Sequence, residues 1–294
     1  MELRVLRYFL TVTQERNITR AAQKLLISQP TLSKQLSDLE HELGTTLFIR
    51  GHKQITLTSE GEYLRSKAAE IITLADKTAI NIQSDQIISG DLTIGAGESI
   101  GMSNIMKIVS DIMQDYQGVK IHLVSGNAEE MESMLNHGSI DFAVLMGKKN
   151  LDDYHYLQTN AINHWGIIMR RDDSMVKNKF ITPNDLVNLP LLMSSQALKS
   201  NRFQEWWKNL GPKMNIVGTF SLVFNAQLLV KNSNIYMVSF DGLIDNSQNS
   251  DLAFRPLEPQ LTESTTVIWK KNIVQSKVAQ LFIKRLTASL EQDN

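Results

Sequence analysis

The side chains best suited to chemistry in this sequence lie in one short run, SQPTLSKQLSDLEHELG, residues 28–44. Gln29, Thr31, Ser33, Lys34 and Ser37 bring an amide, hydroxyls and a cation to the stretch around Pro30. Amides and hydroxyls reach base edges, and a cation meets a guanine edge or a phosphate. The same face also reads as the solvated side of a small helical domain, and residue types alone leave both readings open. Downstream, LFIR, GHKQ and ITLT read as strand, turn and strand. Arg50, His52 and Lys53 then sit at the tip of a hairpin, within reach of phosphates or a minor groove.

Enzymatic constellations are missing from the sequence. The histidines at 41, 52, 122, 137, 155 and 164 show no H-E-x-x-H spacing. Gly95, Gly97 and Gly101 do not form GxGxxG, and neither a Walker loop nor a GxSxG elbow occurs. The absence of cysteine removes disulfides, thiolate metal sites and thiol nucleophiles. No catalytic residue, metal site or cofactor is expected. An enzyme using an α/β cleft remains the rival reading.

The elements that must position the polar run are legible from spacing. Leu3, Leu6, Phe9, Leu10 and Thr13 recur at helical intervals. Asn17 breaks that pattern, and Thr19 is the expected cap of a short second helix through Ala21, Ala22 and Leu25. Ser28 is the expected cap of a third helix, with Pro30 in its first turn, where a missing N–H costs nothing. Leu32, Leu36, Leu39 and Leu43 form the buried stripe of that helix, and Gly44 ends it. Residues 1–58 carry 8 Lys and Arg against 5 Asp and Glu, whereas the whole chain has a net charge of −1. A basic head on an acidic body suits a nucleic-acid module attached to a sensor.

From residue 59 the pattern turns helical again. Leu64, Ala68, Ile71, Ala75, Thr78 and Ile82 form a heptad-like seam, which predicts pairing with a second copy. Packing against its own head is the alternative. After Ser89-Gly90-Asp91, short apolar strands alternate with helices. Strands are expected at 92–96, 120–124 and 142–146, with helices at 102–115 and 128–137. A second such unit begins near Trp165. This predicts a parallel α/β sheet in each unit, with ligands at the strand ends.

The stretch ITRAAQKLLISQPTLSKQLSDLEHELGTTLFIRGHKQITLTSEGE resembles the N-terminal signature of LysR-type transcriptional regulators. The match includes the alanine pair, the SQP-x-LS turn, the LE-x-ELG stop and the LF-x-R wing. The resemblance implies a winged helix-turn-helix over residues 1–58, with Gln29, Pro30, Ser33 and Lys34 facing DNA and Arg50 as the wing arginine. It implies a dimerisation helix over 59–89 and dimers joined into a tetramer. Residues 90–294 are similar to the family's two-lobed, periplasmic-binding-protein-like effector domain, with lobe I at about 90–161 and 263–294 and lobe II at about 162–262. Expected effector contacts are Ser99, Ile100, Asn127, Met146, Ser194, Ser195 and Ser221, although Asn127 with Glu130 also reads as a capping box and Ser99 as a turn residue.

The expected partners are an operator in double-stranded DNA, a small and anionic effector, further copies of the chain, and RNA polymerase. A protein partner, or no ligand at all, is the alternative to the effector. The sequence shows no signal peptide and no apolar run near the roughly 18 residues of a membrane span, so a cytoplasmic location is expected.

Overall fold

The computed structural model describes residues 1–50, 55–83, 88–147, 150–199 and 201–292 (backbone only at 50, 77, 80–83 and 292). The chain forms two compact units, Met1–Asp85 and Gln86–Asn294.

The first unit contains α1 (Leu3–Glu15), α2 (Ile18–Lys24), α3 (Gln29–Leu43), the hairpin β1 (Phe48–Arg50) and β2 (Ile55–Leu57), and α4 (Ser59–Gln83). Its core takes Leu6, Phe9 and Val12 from α1, the small pair Ala21 and Ala22 from α2, and Leu32, Leu36 and Leu39 from α3. The alanines let the other helices approach closely. Leu43, expected in the same stripe, is exposed because it falls in the last turn of α3. Asn17, not Thr19, caps α2: its side chain accepts the Arg20 N–H, and Thr19 lies inside the helix. Gly44 ends α3 in the left-handed conformation, at φ 66°, where a Cβ would be strained.

The first half of α4 packs on its own head. Leu64, Ala68 and Ile72 are buried in the head's core. This corrects the expectation that Leu64 and Ala68 belong to a seam facing a partner. Gly61 makes the approach possible, since a Cβ there would lie 2.2 Å from the Leu47 carbonyl oxygen.

The second unit continues with β3 (Gly90–Ala96), α5 (Met102–Asp115), β4 (Val119–Ser125), α6 (Ala128–Asn136), β5 (Phe142–Met146) and β6 (Tyr154–Arg170). After β6 come β7 (Pro190–Ser194), α7 (Ser195–Lys199), α8 (Asn201–Trp207), β8 (Asn215–Phe220), α9 (Val223–Lys231), β9 (Tyr236–Phe240), β10 (Leu252–Pro256), β11 (Thr262–Lys270) and α10 (Lys277–Gln292). The strands run in the order β4-β3-β5-β11-β6-β9-β7-β8, with β10 also paired to β6.

Each half of this sheet has a parallel trio, β4-β3-β5 and β9-β7-β8, but β11, β6 and β10 join antiparallel. The sheet is therefore mixed where parallel pairing was expected. The reason is that the chain changes halves inside the 17-residue β6 and returns through β11, not through crossover helices. Both faces of each half are covered. On β5, Phe142 and Val144 enter the core with α5 and α10, while Ala143 and Leu145 enter the core with α6. On β9, Val238 meets Ala197, Phe203 and Trp206, while Met237 meets Val223, Ala226 and Val230 on α9. Strands buried on both faces read as continuous apolar runs, which is how FAVLM looks in the sequence.

Candidate functional site

In the head, the buried leucines of α3 turn its other face outward. Gln29, Pro30, Thr31, Lys34 and Ser37 are exposed and Ser33 is half-buried. The start of α3 is locally ordered. Ser28 caps it by accepting the Thr31 N–H at 3.3 Å, Pro30 sits in the first turn, and Gln29 Nε2 donates to Ser33 Oγ at 2.8 Å. Glu40 on α3 accepts the Leu47 N–H at 2.7 Å and the Phe48 N–H at 3.2 Å, tying the hairpin to the helix. Arg50 pairs with Ile55 at the end of that hairpin; His52 and Lys53 lie outside the described residues. One feature was missed in the sequence: Leu26, in the turn before α3, is 92% exposed and holds φ 56°. Leucine rarely takes that conformation.

On α4, Ile71 and Thr78 point outward beside an exposed Leu74, and Ala75 is half-buried. The side chain of Ile82 lies outside the described residues. Arg7 donates to Asp76 across α1 and α4 and holds that carboxyl below its usual range.

In the second unit, the ends of both parallel trios open on one cavity of about 340 Å³. Gly97 and Glu98 follow β3, Gly126 and Asn127 follow β4, and Met146 and Gly147 close β5. Ser194 and Ser195 lie at the β7–α7 junction, Phe220 and Ser221 after β8, and Ser239 and Phe240 at the end of β9. Trp165 and Phe203 complete an aromatic wall, with ring centroids 5.0 Å apart and Phe240 4.0 Å from Trp165.

Polar contacts span the cavity. Glu98 accepts the Val223 N–H at the start of α9, and Gln196 accepts the Ala128 N–H at the start of α6 at 3.3 Å. Lys199 pairs with Glu129 at 3.0 Å, and Arg202 with Glu263 at 2.6 Å. A Cβ on Gly147, which has φ 93°, would lie 2.8 Å from the Glu263 carboxylate.

Of the residues expected to meet an effector, Asn127, Met146, Ser194, Ser195 and Ser221 line this cavity. Asn127 also caps α6 in a capping box with Glu130, and Ser194 Oγ accepts the Ala197 N–H at 3.1 Å. Ser99 and Ile100 do not line it. Ser99 is buried, donates to Asn163 and accepts the Gly101 N–H at 2.8 Å, while Ile100 is exposed elsewhere. Sequence reading missed Trp165, Phe203 and Glu263; it placed Glu98 in the candidate loop after the first strand but gave it no contact of its own. A buried glutamate in an otherwise ordinary strand gives no local signal.

Two family models cover nearly all of the chain. The bacterial regulatory helix-turn-helix protein, lysR family, matches residues 3–62, and the LysR substrate binding domain matches residues 86–291. The chain belongs to the LysR family of transcriptional regulators.

This LysR-family chain is 34% identical to the HTH-type transcriptional regulator YcgK of Bacillus subtilis, over 99% of its own length and 96% of that protein. It is 26% identical to the Hca operon transcriptional activator HcaR of Escherichia coli, over 92% of each. Full-length CbnR complexed with its target DNA has the same fold, with a TM-score of 0.78 at 18% identity over 98% of this chain and 100% of that one. These relatives are regulators, and a DNA-binding head joined to a substrate-binding domain makes this chain a regulator rather than an enzyme.

Within this LysR-type effector unit, Ser99 has a structural job. Asn163 Nδ2 donates to the Glu263 carbonyl at 3.2 Å and to Thr265 Oγ1 at 2.9 Å, while its oxygen receives the Ser99 hydroxyl. Thr159 Oγ1 donates to the Thr265 carbonyl at 3.1 Å. The loop carrying Glu98 is thus fastened to the two strands that cross between the halves.

Proposed function

We propose that this regulator reads an operator in double-stranded DNA with the outward face of α3, and that a small organic effector in the 340 Å³ cavity alters that binding. The cavity carries the reading: six strand ends and the start of α9 converge on one aromatic-walled space of a size suited to a small ligand. Gln29, Pro30, Thr31, Ser33, Lys34 and Ser37 are the proposed DNA contacts on α3, with Arg50, His52 and Lys53 on the wing. Asn127, Met146, Ser194, Ser195 and Ser221 are the proposed effector contacts. The effector is an anion, drawn to helix N-termini at the strand ends.

The protein acts as a homodimer paired through Ile71, Leu74 and Thr78 of α4, since two heads read two half-sites roughly a helical turn apart or a multiple of it. Two such dimers form a tetramer through the effector units. The site of action is the cytoplasm, and RNA polymerase is the machinery whose access the regulator controls. The head-linker boundary falls at about residue 58 and the linker-effector boundary at about residue 89. The effector unit divides into lobe I, about 90–161 and 263–294, and lobe II, about 162–262.

The test is a gel shift on the DNA upstream of the chain's own gene, repeated with metabolites that raise the protein's melting temperature. A shifted band whose midpoint moves with a stabilising metabolite supports the reading. Binding unaffected by every stabilising metabolite overturns the effector part.

A further inference from the structure

At the start of α9 the chain meets a local need with a residue from far away. Leu222 occupies the N-cap position and supplies no side-chain acceptor. Leucine is among the poorest residues there, because the first N–H groups of a helix need acceptors. Glu98, on the loop after β3, accepts the Val223 N–H instead. A carboxylate at the positive end of a helix dipole is an anion in an anion site. Both residues line the cavity.

A second, independent observation is Trp165. Its ring lines the same cavity, only 7% of the residue is exposed, and its indole N–H is buried without an acceptor among the described residues. Buried donors are nearly always paired, so an unpaired one beside a cavity calls for an acceptor brought from outside. The other charges of the described lining are already matched, Arg202 with Glu263 and Lys199 with Glu129. The uncharged remainder pairs an apolar side, with Phe203, Phe220, Phe240 and Leu243, with neutral polar groups at the strand ends, Asn127, Ser194, Ser195 and Ser221 among them.

We propose that Glu98 stands in for the effector's acidic group: the cavity takes a small monocarboxylic acid with a flat or slender apolar body, and this acid displaces Glu98 from α9. This inference rests on the reading of the cavity as the effector site. A monocarboxylate fits because exchanging one carboxylate for another leaves the helix terminus balanced, whereas a phosphate would add charge that the paired cations do not offset. The ligand's polar atoms give the Trp165 N–H its acceptor. Displacement also cuts a tie between the two halves, since Glu98 follows β3 and Val223 follows β8. Seating the ligand and loosening that tie are one event.

The experiment is calorimetric titration of the full-length protein with phenylacetate and hexanoate, each beside its amide. Glu98→Gln keeps an acceptor for Val223 but removes the competing charge. It is expected to bind the acids about tenfold more tightly than wild type and to leave the amides unchanged, the size of a partly buried charge acting on a helix end. Equal or weaker acid binding by Glu98→Gln, an equal gain for the amides, or no acid binding at millimolar concentration overturns the proposal. Ser195→Trp, which fills the cavity, separates the two claims. Acid binding lost in Ser195→Trp without any gain in Glu98→Gln sinks the stand-in role alone. Acid binding that survives Ser195→Trp places the ligand elsewhere and sinks the cavity reading with it.

Discussion

Glu263 is 7% exposed, yet it carries a charge against the cavity wall. Its partner Arg202 is partly exposed, so water screens the pair on one side. Removing Arg202 leaves a buried carboxylate short of compensation. Arg202→Ala should therefore lower the stability of the effector unit by about 2 kcal/mol, read as a shifted urea midpoint, with Glu263→Gln restoring part of the loss.

Tyr236 offers a cleaner pH signature. Burial, and its 2.6 Å hydrogen bond to Asp173, push its phenol up to about 12 from an ordinary 10. A raised phenol favours the neutral form in the folded state. Its contribution is complete below about pH 10 and is lost as pH rises towards 12. Ultraviolet titration should show a late tyrosine that Tyr236→Phe removes.

In the head, Lys34→Ala should weaken operator binding without unfolding. If it contacts a phosphate, the slope of log affinity against log salt should fall by about 0.9. Unchanged slope and affinity would take Lys34 off the DNA. The exposed place of Lys34 on α3 was legible in the sequence because it is set within one helix. The tie from Glu98 to Val223 was not, because the two are distant in the chain and only the fold brings them together.

Among the elements, α4 shows how a periodic pattern can be right about shape and incomplete about partner. Its apolar positions at 64, 68 and 71 look like one stripe, but helical twist turns Leu64, Ala68 and Ile72 inward and leaves Ile71 and Leu74 outward. The two faces predict different failures. Leu64→Asp buries an unpaired charge in the head and should unfold it. Ile71→Asp should leave the head's circular dichroism and melting intact while converting dimers to monomers by sedimentation. A dimer that survives Ile71→Asp would remove α4 from the interface.

The strands FAVLM and PLLMS were legible because both of their faces are buried. The first half of β6 was not, because it mixes exposed and half-buried positions with the buried polar Thr159 and Asn163 before the apolar run from Trp165 to Met169. β10 was hidden as a short strand among polar turns.

In the molecule as a whole, the core around α5 combines Leu92, Ile94 and Phe142 with Val267, Phe282 and Leu286 from the far end of the chain. The other half, from Trp165 to Leu261, completes both of its cores without residues beyond 261. Chain order and folding order therefore part company during synthesis. The half that begins first must wait, with an unpaired β5 edge and an open apolar floor, until β11 and α10 emerge. The half encoded in the middle is free to close earlier. A chain halted at residue 262 should yield a protease-resistant fragment spanning β6 to β10, with residues 90–150 digested; protection of both halves would refute that order.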